Sequence, residues 1–180
     1  MKVDRLLCIA SLVCAFGASH ALADLTTLPM RETPIPRTTD GVPHIQIGVE
    51  PVPGISEALL KRVAGLPGVQ IKPTVVSLSG ALGFWISEDQ ALARPEVIVG
   101  GREFAHIHPD GSLHASLSPA LAEMATETGW AVSHPWADQR PGWDGFVMIF
   151  TPMNTAELDV VFDLVEASYG FVTGLGSSSN

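Results

Sequence analysis

The sequence predicts an α+β protein: one domain whose mainly antiparallel sheet has its helices packed on one face. Three observations predict it. Two alternating runs flank Pro109-Asp110-Gly111 and read as a β-hairpin, and Phe146-Val-Met-Ile-Phe150 reads as a buried strand. Two segments of helical periodicity begin at capping residues, Ser118 and Asn154.

The first 23 residues read as a signal peptide. Lys2 and Arg5 precede an apolar run from Leu6 to Ala18, and Ala21-Leu22-Ala23 supplies small residues before Asp24. Cleavage after Ala23 implies a periplasmic or secreted protein. The mature chain then has no integral membrane span, since the apolar run falls short of the ~20 residues a span needs. Both cysteines, Cys8 and Cys14, leave with the signal, so no disulfide, thiolate nucleophile or cysteine ligand is expected. Removing Lys2 and Arg5 from 10 basic residues and Asp4 from 19 acidic ones leaves 8 and 18. That acidic balance excludes nucleic acid as a partner.

Residues 24–53 hold six prolines and no periodicity, which marks an extended or loosely packed lead-in. His44, between Pro43 and Ile45, could join a site, but it reads first as an exposed loop histidine. The domain proper is expected over 54–172. It opens on a short helix from Gly54, with Ser56 as cap, Ala58, Leu59 and Val63 buried, and Gly65 as the stop. Strands follow at Val69–Leu78, with Pro73 at an edge or bulge because it has no N–H, and at Ala81–Ile86. A short strand is expected from Pro95 to the Gly100-Gly101 break. After the hairpin, Ser118 and Pro119 start a helix that Gly129 stops, and Trp130–Ser133 forms a strand. Trp136 to Gly145 is a loop whose tryptophans should fold over something. Phe146–Phe150 should be central in the sheet. The last helix starts at Asn154 with Glu157 in a capping-box arrangement, and Leu158, Val161, Phe162, Val165 and Tyr169 recur at helical spacing. Residues 173–180 form a flexible tail.

The hairpin carries the chemistry. A three-residue loop with Gly111 as the left-handed residue pairs His108 with Ser112, His106 with His114 and Phe104 with Ser116. Ala105, Ile107, Leu113, Ala115 and Leu117 then share the other face. A two-residue Asp-Gly loop would mix polar and apolar groups on both faces, so the three-residue register is preferred. It brings His106, His108 and His114 onto one polar face and turns Glu103 to the opposite one.

Three histidines on one face, with His134 ending a later strand, suit a divalent metal ion such as Zn, Fe, Cu or Ni, with His106, His108 and His114 as ligands. A metal-free polar pocket with a histidine as general base and a hydrogen-bonded structural cluster remain alternatives. Phe104 on the histidine face, with Trp136 and Trp143 from the loop, would contact a small-molecule ligand. No nucleotide or flavin motif is present, nor a nucleophile elbow. Gly100 and His106-x-His108 copy the opening of a cupin motif. No glutamate follows at the required spacing, and a helix stands where a jelly roll would continue in strands.

The run Glu103-Phe-Ala-His-Ile-His-Pro-Asp-Gly-Ser-Leu-His114, then Leu117-Ser-Pro, Gly129-Trp130 and His134-Pro135, resembles the luciferase-domain family over roughly residues 54–172. That family is named for fungal luciferases and includes short bacterial proteins. The resemblance implies that His106, His108, His114 and His134 are catalytic and that Asp110 and Ser112 contact substrate. It also implies an oxygen-dependent oxidation of a small aromatic or enolic compound, since the fungal members oxidise a hydroxylated styryl-pyrone with no known organic cofactor. The alternative on the same scaffold is a non-catalytic periplasmic module that binds a small molecule or metal. The sequence leaves the oligomeric state open.

Overall fold

The computed structural model describes residues 25–175; the expected signal segment and the chain end after Leu175 lie outside the described residues. The elements are α1 (Ile55–Val63), β1 (Val69–Pro73), β2 (Leu82–Ile86), β3 (Glu103–Ile107), β4 (Leu113–Ser116), α2 (Pro119–Glu127), β5 (Ala131–Ser133), β6 (Phe146–Ile149) and α3 (Thr155–Thr173). The six strands form one antiparallel sheet in the order β1-β2-β3-β4-β6-β5. Leu113, Ala115, Val147, Ile149, Ala105 and Ile107 point to one face, where Leu59, Leu121, Ala125, Leu158, Val161 and Val165 from the helices complete a single core. The fold class is therefore the expected one. Among the described residues no helix is long and apolar enough to cross a membrane.

The hairpin takes the three-residue register. His106 pairs with His114, Ile107 with Leu113 and Ala105 with Ala115, and the His108 N–H donates to the Ser112 carbonyl at 2.8 Å. Gly111 closes the loop at φ +86°. It must be glycine for a second reason, because a Cβ there would lie 2.8 Å from Thr151 Cγ2.

Several expectations needed correction. Gly54, at φ +81°, and not Ser56, is the N-cap of α1, and it makes no side-chain cap bond. The strand expected over Val69–Leu78 stops at Pro73, the last residue of the edge strand β1, because Thr74 and Val75 turn away to bond the Glu103 carboxylate. Pro95–Val97 is a single 3-10 turn rather than a strand, with Pro95 in the first turn. β6 lies inside the sheet between β4 and β5, one position from the edge, and the hairpin takes the centre. The helix starts were read correctly: the Leu121 N–H reaches Ser118 Oγ, and the Glu157 N–H donates to Asn154 Oδ1 at 2.9 Å.

The largest departure is a β-bulge. Phe84 pairs with Ala105 but Trp85 pairs with Glu103, so Phe104 has no partner on β2. One extra residue reverses the alternation beyond it. Phe104 therefore turns into the core beside Phe84 and Tyr169, with ring centroids 6.0 and 5.8 Å away. Glu103 takes the histidine face in its place. The expected positions of these two residues are exchanged.

The proline-rich lead-in has no regular element, but it is fastened to the domain. The Arg31 side chain is buried, ion-paired with Glu157 at 3.0 Å, and donates to the Thr151 carbonyl at 2.8 Å. Its guanidinium also stands over the rings of Trp130 and Phe150. Further along, Gln46 exchanges two hydrogen bonds with Thr151. Truncating one partner of a buried ion pair strands the other charge. Arg31→Ala should therefore cost about 3–5 kcal/mol in urea unfolding. A loss of less than about 1 kcal/mol, the scale of an exposed pair, would show that this anchor does not hold the strap.

Candidate functional site

Five histidines, not three or four, converge on the sheet face away from the helices. His106 and His108 come from β3 and its end, His114 from β4, His134 from the residue after β5, and His44 from the lead-in strap. All five are buried. His114 is the hub. Its ring centroid lies 5.1 Å from that of His106, 4.7 Å from His108, 4.6 Å from His134 and 5.4 Å from His44, on which it stacks. The expectation that His44 is an exposed loop residue is thus overturned: the fastened strap folds it onto the cluster.

Hydrogen bonds fix which ring nitrogens carry protons. Glu103 Oε1 lies 3.0 Å from His106 Nδ1, and the carboxylate also accepts from the Thr74 hydroxyl and the Val75 N–H. A carboxylate has only acceptor roles to offer, so His106 is protonated on Nδ1 and turns the Nε2 lone pair to His114 Nδ1, 3.2 Å away. At His108 the same logic passes through a hydroxyl. Ser112 Oγ donates to Asp110 Oδ1 at 2.7 Å, so it accepts from His108 Nδ1 at 3.0 Å. His108 Nε2 then accepts from the Ser77 hydroxyl at 3.0 Å. His134 is the opposite tautomer, because its Nδ1 accepts the Trp136 N–H at 3.0 Å. Within the cluster, His44 Nδ1 and His114 Nε2 are buried and have no partner among the described residues.

Burial keeps His44, His108, His114 and His134 neutral, with repulsion from neighbouring histidines added at the last three. Burial, then the neighbouring His106, lowers His108 to about 4 despite Asp110. Burial, then His44, lowers His134 to about 3. His114 is pushed well below its ordinary value by burial and by the four other histidines, and His44 is lowered by burial.

The cluster lines a cavity of about 330 Å³, whose other walls are Val42, Pro43, Val76, Ser77, Leu78, Val99, Trp136 and Phe146. Among the described residues no carboxylate, lysine or arginine lines it. Of the expected site residues, His106, His108, His114, His134 and Trp136 meet at this cavity. Trp143 stands one layer behind, stacked 6.3 Å from Trp136 and donating its indole N–H to the Glu96 carbonyl. Asp110 and the buried Ser112 sit in and beside the hairpin turn, where they support His108 rather than line the cavity. Phe104 is in the core, on the other face. The Trp136–Gly145 loop walls the cavity with Trp136 alone and shares that task with the strap and with residues 76–78.

Sequence reasoning missed Glu103 and His44. The sheet bulge that turns Glu103 inward leaves no mark in hydrophobic alternation. Its only local trace is Gly83, where a Cβ would lie 2.7 Å from the Glu103 carboxyl carbon. Nothing near His44 marks it as a site residue, since its place depends on anchors far along the chain.

Two trios of buried ring nitrogens lie close enough to hold a metal ion: His106, His108 and His114, and His44, His114 and His134, each within 4.8 Å of one another. Buried imidazoles fit such a role, and in the first trio His106 and His108 also have a carboxylate behind the ring, directly or through Ser112.

This is a small α+β protein with a buried histidine pocket, and comparison with known proteins shows what it is similar to. Residues 101–168 match the model of the Luciferase domain family, a span that holds Glu103 and four of the five histidines. The luciferase of Armillaria gallica is 29% identical over 169 residues, covering 83% of this chain and 62% of that protein. The luciferase of Armillaria mellea is likewise 29% identical, over 170 residues with the same coverage. The luciferase of Neonothopanus nambi is 36% identical over 78 residues, covering 40% of this chain and 28% of that protein. These matches bear out the resemblance to the luciferase-domain family. The chain spans 62% of the length of the Armillaria relatives. No solved structure matches it significantly.

The lowered histidines make stability pH-dependent. In the unfolded chain each would titrate near about 6.5, whereas in the folded chain His108 and His134 stay neutral down to about 4 and about 3. The unfolded state binds more protons in that interval, so stability is full above about pH 6.5 and is lost as pH falls toward 4. The thermal midpoint of the metal-free chain should drop by about 5 °C or more between pH 7 and pH 5. A midpoint that holds steady would mean that the rings are not held neutral.

Proposed function

We propose that this chain is an exported, luciferase-domain-like protein that binds a small, uncharged aromatic compound bearing an enolic or phenolic hydroxyl and oxidises it with molecular oxygen. One observation carries the reading: two of the rings that line the cavity, His44 and His114, each hold a buried nitrogen, Nδ1 and Nε2, without a protein partner. Leaving a buried polar atom unpaired costs about 1–3 kcal/mol, which favours a ligand whose oxygen atoms bond to them.

The rest of the cavity agrees with that ligand class. Trp136 and Phe146 offer aromatic walls for a flat body, Val42, Leu78 and Val99 offer apolar surface, and no cationic side chain is present for a carboxylate or phosphate. A neutral imidazole can take the hydroxyl proton, which gives the electron-rich enolate that oxygen attacks. His114 is best placed as that base, through its unpartnered Nε2. Alternatively, the first trio serves as a metal site, with His106, His108 and His114 as ligands and a divalent ion as Lewis acid. Kinship to the fungal luciferases supports oxygen chemistry over mere retention.

The test is oxygen uptake by purified protein with a panel of phenols and hydroxylated pyrones, alongside His114→Ala. Turnover that falls by about 100-fold or more in the variant, with the fold retained by circular dichroism, supports the reading. Tight retention of a compound without oxygen uptake would replace it with a non-catalytic binding module. Export rests on the amino-terminal pattern, and N-terminal sequencing of protein from the extracellular or periplasmic fraction should begin at Asp24. A chain that keeps Met1 in the cytoplasm would remove that part.

A further inference from the structure

We infer that Glu103 is a positioning residue for a divalent metal ion bound by His106 Nε2, His108 Nε2 and His114 Nδ1. This rests on the metal reading of the histidine site given above and adds to it the ligating atoms and the group that aims them.

The Glu103 side chain is wholly buried. Withdrawing a carboxylate from water costs several kcal/mol unless donors surround it. The sheet is built to accept it: the bulge at Phe104 turns it inward, the β1 ladder ends so that Thr74 and Val75 can donate to it, and Gly83 leaves the space above β2 that it fills. Packing of Phe104 against Phe84 and Tyr169 accounts for the bulge on the core side, but not for the donors and the space that receive the carboxylate. Its remaining partner is His106, and a carboxylate on the distal nitrogen is how a metal-ligating imidazole is held in one tautomer and made a better donor. Asp110 supports His108 in the same way through Ser112. Two of the three ligands in the trio thus carry a carboxylate behind the ring, and both present Nε2.

The separation of His106 and His114 fits a shared ion. Nitrogen ligands at about 2.0–2.1 Å from a metal stand about 2.9 Å apart at a right angle and about 3.3 Å apart at the tetrahedral angle. His106 Nε2 and His114 Nδ1 are 3.2 Å apart, and ring nitrogens of all three residues lie within 4.8 Å of one another. His108 would exchange the Ser77 hydroxyl for the ion. His114 Nδ1, which donates to His106 Nε2 in the metal-free chain, would pass its proton to the unpartnered Nε2 and ligate, whereas the Trp136 N–H on His134 Nδ1 fixes the proton of that ring on Nε2. The ion therefore belongs to the Glu103 side of His114, and the second trio is left to hydrogen-bond the organic ligand.

The full chain, stripped with a chelator, would be titrated with Co2+ while visible absorption is followed, and with Zn2+ against a chromophoric chelator. The wild type should take one equivalent. Glu103→Gln keeps the size of the side chain and loses its charge. It should bind about 10–100-fold more weakly, with a metal-free thermal midpoint close to that of the wild type. Affinity within about threefold of the wild type would overturn the role of Glu103 while leaving the metal site standing. A wild type that binds neither ion would overturn the metal reading and this inference together, without touching oxygen uptake driven by His114 as base. Should Glu103→Gln not fold, 15N chemical shifts of the metal-free wild type decide. His106 protonated on Nδ1 supports the inference, and His106 protonated on Nε2 sinks it.

Discussion

The pairing of His106 with His114 across the central hairpin is the constraint on which the rest of the site depends. It follows from a loop of three residues, in which Gly111 supplies a left-handed turn that a β-carbon would obstruct. A change of one residue in loop length would send His114 to the helix side and Leu113 into the cavity. Because the register holds, one face of β3 and β4 is wholly apolar and seals against α3, while the other presents imidazoles whose centroids are 5.1 Å apart. Fold stability and site chemistry thus share a single geometric choice.

The bulge beside that pairing serves both faces at once. It delivers Phe104 to an aromatic cluster with Phe84 and Tyr169, and it delivers Glu103 to His106. Without it, a large apolar ring would stand among the histidines and a carboxylate would face the core, each at considerable cost. Hydrogen bonding then spreads outward from the two carboxylates. Glu103 sets His106, which in turn faces His114, and Asp110 sets His108 through Ser112. Four rings held neutral by burial and by one another keep their lone pairs for a ligand or an ion.

The strap completes the enclosure from outside the segment that matches the luciferase-domain model. That segment, residues 101–168, holds the hairpin, α2, β5, β6 and most of α3, but not His44 or the wall at Val42 and Pro43. Arg31 on Glu157 and Gln46 on Thr151 bracket His44 along the strap, and so hold the fifth ring over the cluster. The cavity is accordingly a joint product of the sheet and of a segment with no secondary structure.

By itself the sequence determined the α+β class, the hairpin register, the caps at Ser118 and Asn154, the core positions of α3 and the grouping of His106, His108 and His114. All of these follow from local rules: side-chain alternation with period two, helical spacing, and the turn chemistry of Pro-Asp-Gly. Only the tertiary structure decided the exchange of Phe104 and Glu103, the arrival of His134 and His44, and the tautomers of His106, His108 and His134. A bulge is set by what the partner strand and the core can accommodate, so its signal lies in Gly83 and Tyr169 and not in the strand that bulges. His44 is placed by bonds to residues more than 100 positions away, which no local pattern can register.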